Sequence, residues 1–562
     1  MIRTIFAFIL LLCAYSSINA QEKSLVDKAK VGIRNGNAEV EIADRNYHSA
    51  IAMLRDVLRD YPNDQKACYL LAGCFYELKN YWLAKSYIDS SFIAGPATAP
   101  EHLLTTAKVY HSIGQLDDAE DFYKKFRNTR KEGYLYEGEL EKFLREIQTA
   151  REQMVKPKNV KVKPINNVLN SQYDDYAPSV SADGNTMFFT TRRPYGLSGG
   201  EIDSKGDHKF FEDIYESHRE NGSWSRATRA GEPINTDKYD AVLSLAPDGQ
   251  EMYVYINDGK NGGDIYLSRK DKSGEQWSKP EVLPSPINTS FYEGSISVTA
   301  DGNTMYFISE RRNGFGFGDI WRVTKLNGVT WGLPENLGPV INTSFDEKFV
   351  FVHPDGKTLF FASNGHSGLG SYDIYRTSLV GDQFTTPVNL GYPINTVNEE
   401  STFSLTADYK TMYLAAVRKE GMGERDIYEL DLSNYSILEV PNSDNTKGLV
   451  SGSIVTETAK RIPEAFIQIS EDGSATPLAS LTSDASGNYE AKLPLGKTYL
   501  IKVSAPGFNS TVEKVLIKPS PDGRSITVKH VVLKSGGKAE KKVKVENDAD
   551  GEDEEQDAEE EE

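Results

Sequence analysis

One phrase recurs five times between about Val160 and Leu432. Each copy consists of an apolar strand, an Asp-Gly turn, a second apolar strand, a Gly-rich loop, Asp-Ile-Tyr and a polar strand leading to Pro-Ile-Asn. The Asp that opens Asp-Ile-Tyr marks the phase of the five copies, at Asp213, Asp264, Asp319 (as Asp-Ile-Trp), Asp373 and Asp426. The period is 53 or 54 residues over most of this span. Such a period predicts a repeat architecture, which constrains the fold more than any other feature of the chain.

Each copy predicts four short β-strands, because runs rich in Val, Ile, Tyr, Phe and Thr alternate with clusters of Gly, Asn, Asp and Pro. Asp-Gly suits the tight turns of hairpins, since type I′ turns need positive φ at both central residues. Four strands per repeat are typical of one blade of a β-propeller. The copies therefore predict an all-β propeller of five blades over residues 158–434. The alternative is a six-bladed ring in which one blade escapes recognition.

The two ends of the repeat region predict how the ring closes. The fifth copy starts near Val397 and ends after its third strand, near Leu432. A strand with its own Pro-Ile-Asn precedes the first copy, from Val162 to Asn166. We expect this strand to pair into the last blade, because an unpaired edge strand would otherwise be left exposed.

The repeats resemble the WD40-like PD40 repeats of TolB-type propellers. The shared pattern is the Asp-Gly turn, the apolar strand, the Gly-rich loop and Asp-Ile-Tyr, matched in every copy and only loosely at the fifth turn, Asp408-Tyr409. The resemblance covers roughly half of the chain. It implies a fold and a platform for protein interactions, and it implies no reaction.

The first 20 residues are typical of a signal peptide, with Arg3 at the charged end, an apolar core from Ile5 to Leu12 and Ala20 before the predicted cut. This apolar run is too short to span a bilayer. The segment predicts export to the periplasm, and we expect association with the outer membrane. In the alternative, Cys13 is the acylated residue of a lipoprotein, although Leu12 precedes it where Gly, Ala or Ser is usual.

Residues 21–157 predict helices in a repeating array. The set Tyr47, Ala50, Leu54 and Pro62 recurs 34 residues later as Tyr81, Ala84, Ile88 and Pro96, and a third copy follows. The pattern resembles the tetratricopeptide repeat, although Cys68 replaces the usual Trp. The resemblance implies an all-α solenoid with a groove for peptides or helices. A helix from about Tyr134 to Met154 is predicted to cap the stack.

Residues 446–534 predict a small β-sandwich. A polar linker at 441–447 leads from the repeats into its first strand. Their motifs are Gly452-Ser-Ile454, Ala465 to Ile469, Asp484 to Tyr489, and Ala505-Pro-Gly507-Phe508. In this order they resemble the carboxypeptidase regulatory-like domain, which implies a transthyretin-like fold and not the peptidase. Residues 535–562 predict a disordered acidic tail, because a run of carboxylates without apolar residues cannot bury enough surface to fold.

Charge and cysteine usage exclude several classes of protein. The net charge is −19, and no basic patch interleaved with aromatic residues is present, so a nucleic acid is not expected as a partner. After cleavage only Cys68 and Cys74 are left. They lie six residues apart in a predicted helix, about 9 Å along its axis, which excludes a disulfide between them and predicts two small core residues.

No catalytic, cofactor-binding or metal-binding residue is predicted, and the chain is not expected to be an enzyme. The five Asp residues of Asp-Ile-Tyr are predicted to be structural, as turn caps and hydrogen-bond acceptors. One departure from the repeat is a candidate binding loop, because the first copy carries an insertion between Arg192 and Phe211. Its polar candidates are Tyr195, Glu201, Asp203, Asp207 and His208. The alternative is an indifferent, disordered insertion.

The order of signal peptide, tetratricopeptide array, PD40 propeller and regulatory-like domain resembles envelope proteins of the Bacteroidota. Many of those relatives continue into an OmpA-like peptidoglycan-binding domain, and one works in type IX secretion. Here an acidic tail follows instead, so direct binding to peptidoglycan is not expected. The predicted function is a non-enzymatic scaffold or adaptor, with envelope or secretion-system proteins as partners and membrane association through them. The alternatives are a propeller enzyme or lectin acting on glycans or peptides, and a surface antigen or adhesin.

Overall fold

The structure is a computed structural model, and the residues it describes fall into a series of ranges. They are 27–129, 135, 138–165, 167–181, 183–194, 200, 202–236, 239–246, 249–257, 263–271, 276–326, 328, 330–435, 437, 447–458, 460–474, 476–517 and 526–536. The predicted signal peptide, Cys13, nearly all of the linker and nearly all of the acidic tail lie outside them.

Among the described residues, the amino-terminal region contains seven helices. The bounds are 27–43, Tyr47–Asp60, Gln65–Glu77, Tyr81–Ile93, Pro100–Ser112, Leu116–Asn128 and Glu139–Met154. Side chains cap three of the starts, where Asn46, Asp64 and Asn80 each accept a hydrogen bond from a backbone N–H of the first turn. Fully buried alanines, such as Ala72 and Ala84, let the helices pack closely.

Two predictions about this region have clear outcomes. Cys68 and Cys74 are both buried free thiols, so their prediction as core residues is confirmed. The start predicted for the capping helix, near Tyr134, is wrong. That helix begins at Glu139, because Gly138 adopts a left-handed conformation with φ of 81° and cannot continue a right-handed helix upstream.

In the part of the chain that the structure describes, five antiparallel sheets follow, numbered here in chain order. Sheet 1 contains Asp175–Val180, Thr186–Thr191, Asp213–Glu220, Ser223–Trp224 and Thr228–Arg229. Sheet 2 contains Tyr239–Leu245, Glu251–Asn257, Asp264–Arg269 and Glu281–Val282. Sheet 3 contains Glu293–Val298, Thr304–Ser309, Asp319–Leu326, Thr330–Trp331 and Glu335–Asn336. Sheet 4 contains Glu347–Val352, Thr358–Ser363, Asp373–Val380, Gln383–Phe384 and Val388–Asn389. Sheet 5 contains Glu400–Leu405, Thr411–Ala416, Asp426–Asp431 and, from the start of the region, Lys161–Pro164.

The sheets form a closed ring, because a buried apolar cluster joins each sheet to the next and joins sheet 5 to sheet 1. The predicted closing strand is confirmed, with Val162 opposite Leu430 in an antiparallel pair. Side chains also connect the first strands of neighbouring sheets. The N–H of Ala177 in sheet 1 donates to Thr402 Oγ1 of sheet 5 over 3.0 Å.

An asparagine completes each sheet by exchanging two hydrogen bonds with the Ile of Asp-Ile-Tyr. In sheet 1, Ile214 N donates to Asn235 Oδ1 and Asn235 Nδ2 donates to Ile214 O, over 2.7 and 2.9 Å. In sheet 5 this role belongs to Asn170, which bonds Ile427 over 2.7 and 2.9 Å. The prediction that Pro-Ile-Asn ending at residue 166 supplies the fifth motif is therefore wrong. A turn at residues 167–169 follows the closing strand and brings Asn170 into position instead.

The Gly-rich loops let sheets 3 to 5 pack closely against the backbone of the next sheet. A Cβ on Gly316 would lie 1.8 Å from the carbonyl oxygen of Phe345, at the edge of sheet 4. A Cβ on Gly423 would lie 2.1 Å from the carbonyl oxygen of Tyr173, at the edge of sheet 1. Only glycine fits such a close approach of two backbones.

The carboxyl-terminal region has two sheets around one core. One contains Lys447–Thr456, Asn488–Pro494, Ile526–Val528 and Val531–Leu533, and the other contains Phe466–Glu471, Pro477–Thr482, Thr498–Ser504 and Thr511–Leu516. Ile454, Ile467 and Tyr499 are among the residues of the core that the two sheets share. Arg461 connects this region to the ring by donating to the carbonyl oxygen of Val340 over 2.9 Å.

The helical region contacts the ring at the edge where the first strand of each sheet begins. Lys79, in the turn after the third helix, pairs with Glu399 at the start of sheet 5. Lys158 N donates to the carbonyl oxygen of Tyr392 over 2.7 Å. In the part of the chain that the structure describes, no helix is long and apolar enough to cross a membrane.

Candidate functional site

Five fully buried carboxylates form a layer inside the ring, one at or next to the start of each first strand. This acid layer consists of Asp175, Asp240, Glu293, Glu347 and Glu400. Each accepts hydrogen bonds from the Ser or Thr four residues earlier. Glu347, for example, accepts from Thr343 N over 2.9 Å and from Thr343 Oγ1 over 2.8 Å. Ser363 Oγ also donates to Glu347 over 2.7 Å, so the layer ties the first strand to the second.

Burial raises the pKa of four carboxyl groups of this layer. It raises the pKa of Asp240 to about 7, of Glu347 to about 8 and of Glu400 to about 6, although backbone and hydroxyl donors oppose the shift. The pKa of Asp175 is also raised by burial, with Arg193 opposing. These pKa values are raised because burial disfavours the charged form of a carboxyl group. The groups are therefore polar parts of the ring's interior.

The Asp residues of Asp-Ile-Tyr lie at the same edge, and in sheets 3 to 5 they hold the loops that precede them. Asp319 accepts from the backbone N–H groups of Phe315 and Gly316, over 2.6 and 3.2 Å. Asp373 and Asp426 make the same contacts with the Gly-rich loops of sheets 4 and 5. Asp213 accepts from the guanidinium of Arg229 instead. Asp264 begins the third strand of sheet 2.

The residues immediately before these acids differ from copy to copy and surround the mouth of the ring. Before the acid layer stand Asp174, Tyr239, Tyr292, Asp346 and Glu399, and before Asp-Ile-Tyr stand Glu212, Gly263, Gly318, Tyr372 and Arg425. We call these ten positions the mouth residues. They also contact one another, as where the Tyr372 hydroxyl donates to Asp346 over 2.5 Å.

A cluster of paired charges occupies the sheet 5 side of the mouth. Arg425 donates to Asp174 over 2.8 and 2.5 Å, and its guanidinium lies 3.9 Å from the centre of the Tyr176 ring. Glu399 is buried, yet Lys348, Lys79 and Arg425 hold its pKa well below the usual range. Arg425 likewise keeps the pKa of Asp174 low, at about 2, against the effect of burial. This cluster connects the helical region to the ring, because Lys79 lies in the turn after the third helix.

The described residues 202–210 of the first copy's insertion lie over the same mouth. Asp203 accepts from the Tyr239 hydroxyl, and Asp207 pairs with Arg192, so both predicted loop residues face the ring. His208 points to the helical region, with its Nε2 3.2 Å from Asp44 Oδ2. Tyr195 and Glu201 lie outside the described residues. The structure thus brings Asp203 and Asp207 together with residues from other sheets.

The mouth opens into a cavity of about 470 Å³ that all five sheets line. Arg192, Asp203 and Asp207 come from sheet 1 and its insertion, while Tyr255 and Tyr292 form the wall on the side of sheets 2 and 3. Glu212 also faces the cavity and accepts a hydrogen bond of 2.5 Å from the Tyr176 hydroxyl. Burial raises the pKa of Glu212, with Arg192 opposing. The volume is within the usual range of sites for small ligands, roughly 300 to 1,000 Å³.

Sequence reasoning missed both the acid layer and most mouth residues. A sequence pattern marks the acid layer. In this pattern Asn is followed directly by Ser or Thr, and an Asp or Glu comes four residues after the Ser or Thr. It occurs once per sheet, starting at Asn170, Asn235, Asn288, Asn342 and Asn395. The mouth residues could have been found as the positions that vary next to repeated acids. Among the described residues, no group of three or more His, Cys, Asp or Glu side chains is arranged to hold a metal ion.

Comparisons with known proteins identify one part of the chain. Residues 449–540 match the model of the carboxypeptidase regulatory-like domain, so the predicted resemblance of this region is confirmed. No curated protein matches the chain.

Solved structures resemble two other parts at low identity. The first TPR domain of human RPAP3 is 14% identical over 22% of this chain and 92% of that one, with a TM-score of 0.19. TolB from Acinetobacter baumannii is 17% identical over 46% of this chain, with a TM-score of 0.28, and this chain spans only 55% of its length. The α-L-arabinofuranosidase PaAbf62A from Podospora anserina is 15% identical over 48% of this chain and 93% of that one, with a TM-score of 0.29. At these TM-scores the likenesses carry no argument about function.

Proposed function

We propose that this chain is a non-enzymatic scaffold or adaptor of the bacterial cell envelope, working in an outer-membrane or type IX secretion assembly. In this proposal the helices form a tetratricopeptide solenoid, the five sheets form a five-bladed propeller and the carboxyl-terminal region forms a transthyretin-like sandwich. The protein resides in the periplasm at the outer membrane. Its partners are envelope or secretion-system proteins, and it contacts membrane and cell wall through them.

The observation that carries the proposal is an exposed apolar face on the first helix, residues 27–43. Ile33 and Val40 lie seven residues apart, on one side of the helix, and are 65% and 67% exposed. The end of a helical array normally carries polar residues on its outer face, because it has no neighbour to cover it. An apolar end therefore favours a docked partner helix.

The chemistry of the acid layer supports a role without catalysis. Acid–base catalysis by two carboxylates needs two unlike environments, so that one is protonated while the other is charged. Here every sheet repeats one arrangement, in which a buried acid accepts from the Ser or Thr four residues earlier. This shared hydrogen-bond arrangement indicates that the carboxyl groups hold strands together.

The test uses the full chain in its native envelope. Ile33→Ser combined with Val40→Ser should abolish crosslinking to at least one envelope protein that the unmodified chain captures, because two polar side chains remove the apolar face. The matched control is Leu326→Ser combined with Leu333→Ser, which changes two exposed leucines of the ring and should leave capture intact. Equal capture by both double variants would contradict docking on the first helix.

The same proposal predicts no direct contact with the cell wall. At a net charge of −19, the purified protein should be repelled by the carboxylates of peptidoglycan, and should stay in the supernatant when sedimented with isolated sacculi. Stoichiometric co-sedimentation of the pure protein near physiological salt would contradict attachment through partners.

A further inference from the structure

We infer that the cavity inside the ring binds an organic cation, a protonated amine or a guanidinium group, between Tyr255, Tyr292 and Glu212. This site is separate from the exposed face of the first helix, and nothing in the scaffold proposal depends on it. The aromatic wall, the distribution of charge among the described residues and the size of the cavity favour such a ligand.

The aromatic wall consists of two tyrosine rings whose centres are 6.0 Å apart, at an angle of 57°. Two glycines make room for them. A Cβ on Gly263 would lie 2.3 Å from the Tyr255 hydroxyl oxygen, and one on Gly294 would lie 2.2 Å from that of Tyr292. Tyr292 lines the cavity and is still 42% exposed, so a ligand can reach this ring. Faces of aromatic rings attract cations, most strongly where water is excluded.

The described cations of the cavity wall already have anionic partners. Arg192 donates to Asp207 and, over 2.8 Å, to the carbonyl oxygen of Phe210. Arg425 is paired with Asp174, and Lys348 with Glu399 over 3.1 Å. These fixed pairs leave little positive charge to repel a cation on the far side of the cavity.

Among the described residues, the charged groups with the largest effect on the pKa of Tyr292 are carboxylates. Glu212 has the Tyr176 hydroxyl as its hydrogen-bond donor, while Arg192 and Arg425 stabilise its charge from a distance. After burial and Tyr255, the groups that raise the pKa of Tyr292 are the carboxylates of Glu212, Asp346 and Glu310. A cation at this wall would meet the exposed ring of Tyr292, beside Tyr255, and the carboxylate of Glu212, which can accept more than one hydrogen bond because a carboxylate offers about four lone-pair positions.

Two sources could supply this chemistry, a small polyamine or the basic side chain of a partner's peptide loop. The cavity volume of about 470 Å³ admits either. A calorimetric titration of the full chain separates them with four probes: spermidine, the end-capped peptide Gly-Gly-Lys-Gly-Gly, the same peptide with its lysine acetylated, and maltotriose. We expect saturable one-site binding of an amine probe and none of acetylated peptide or maltotriose. Tighter binding of the lysine peptide would indicate a partner loop, and tighter binding of spermidine a free polyamine.

Two variants test the residues. Glu212→Gln keeps an acceptor for Tyr176 and removes the charge, and should weaken binding about tenfold, the usual loss for a hydrogen bond to a charged group. Tyr292→Leu should weaken binding of the amine probe roughly fivefold, because the ring face is lost. This variant provides the test if Glu212→Gln does not fold. Glu281→Gln removes one exposed charge from the outer strand of sheet 2 and should bind like the unmodified chain.

Three results would overturn the inference. The first is that neither amine probe saturates the protein at up to about 10 mM, beyond the millimolar limit of weak binding. The second is that the acetylated peptide or maltotriose binds as tightly as an amine, which would indicate a site for neutral polar ligands. The third is that Glu212→Gln and Tyr292→Leu both bind like Glu281→Gln.

Discussion

The acid layer and the mouth residues stand next to each other along the chain and behave in opposite ways. In the acid layer, all five sheets use Asp or Glu, and each carboxylate accepts from the Ser or Thr four residues before it. One position earlier, the five sheets present Asp174, Tyr239, Tyr292, Asp346 and Glu399. The repeated positions hold each sheet together, and the positions beside them are free to differ because they face the mouth.

The largest effect should come from opening the ring. A protein that starts at Asn170 lacks the strand Lys161–Pro164, and the third strand of sheet 5 then has an unpaired edge. It should aggregate, or melt on the order of 10 °C below a protein that starts at Lys158. Both proteins lack the helical region, so differential scanning calorimetry compares the strand alone. Equal melting temperatures would show that the strand Lys161–Pro164 does not stabilise the ring.

The next effect concerns a glycine of the repeated loops. Gly316→Ala places a Cβ against the carbonyl oxygen of Phe345 and should lower the free energy of unfolding by roughly 2 to 4 kcal/mol, since backbone must shift. Gly231→Ala is the control, because a Cβ there meets nothing within 4 Å. Urea unfolding of the two variants gives the difference. If both variants lose the same free energy of unfolding, the close approach of sheet 4 does not explain why a glycine is needed at position 316.

The acid layer also predicts a pH dependence. Burial raises the pKa of Glu347 from 4.5 to about 8, so between these values the folded protein binds more protons than the unfolded chain. Its stability therefore falls as pH rises through this window. Glu347→Gln lacks this titration, so the stability of the unmodified protein relative to the variant should fall by on the order of a few kcal/mol between about pH 5 and pH 8. Urea unfolding of the unmodified protein and of Glu347→Gln at each pH measures this change. The difference in unfolding free energy between the unmodified protein and Glu281→Gln should not change with pH.

The smallest effect should come from the contact between mouth and helices. Lys79→Met leaves Glu399 with Lys348 and Arg425, so the loss should be only about 1 kcal/mol. Hydrogen exchange at the amides of Leu78, Lys79 and Asn80 should then quicken about fivefold. Lys66→Met removes the exposed pair with Glu39 and is the control. Unchanged exchange in Lys79→Met would mean that other contacts hold the helices in place.

Sequence alone predicted much of the fold, because local chemistry and periodicity determine it. The five copies and the closing strand followed from turn residues and strand patterns. The role of Asn170 could not be predicted from Pro-Ile-Asn, since it depends on how the chain turns after Pro164. Which mouth residues pair with one another could not be predicted either. Arg425 and Asp174 are 251 residues apart in sequence and meet only because the ring closes.

The central claim is that repeated positions hold the ring while the positions beside the repeated acids bind a ligand. A crossed measurement on Glu347→Gln and Glu212→Gln tests it most directly, with unfolding by urea at about pH 5 and titration with the lysine peptide at about pH 7.5. Glu347→Gln should lose about 1 kcal/mol or more of stability and bind within about twofold of the unmodified chain, while Glu212→Gln should lose about tenfold in affinity and keep its stability within about 1 kcal/mol. Equal losses of stability in both variants, with unchanged affinity in both, would contradict this division.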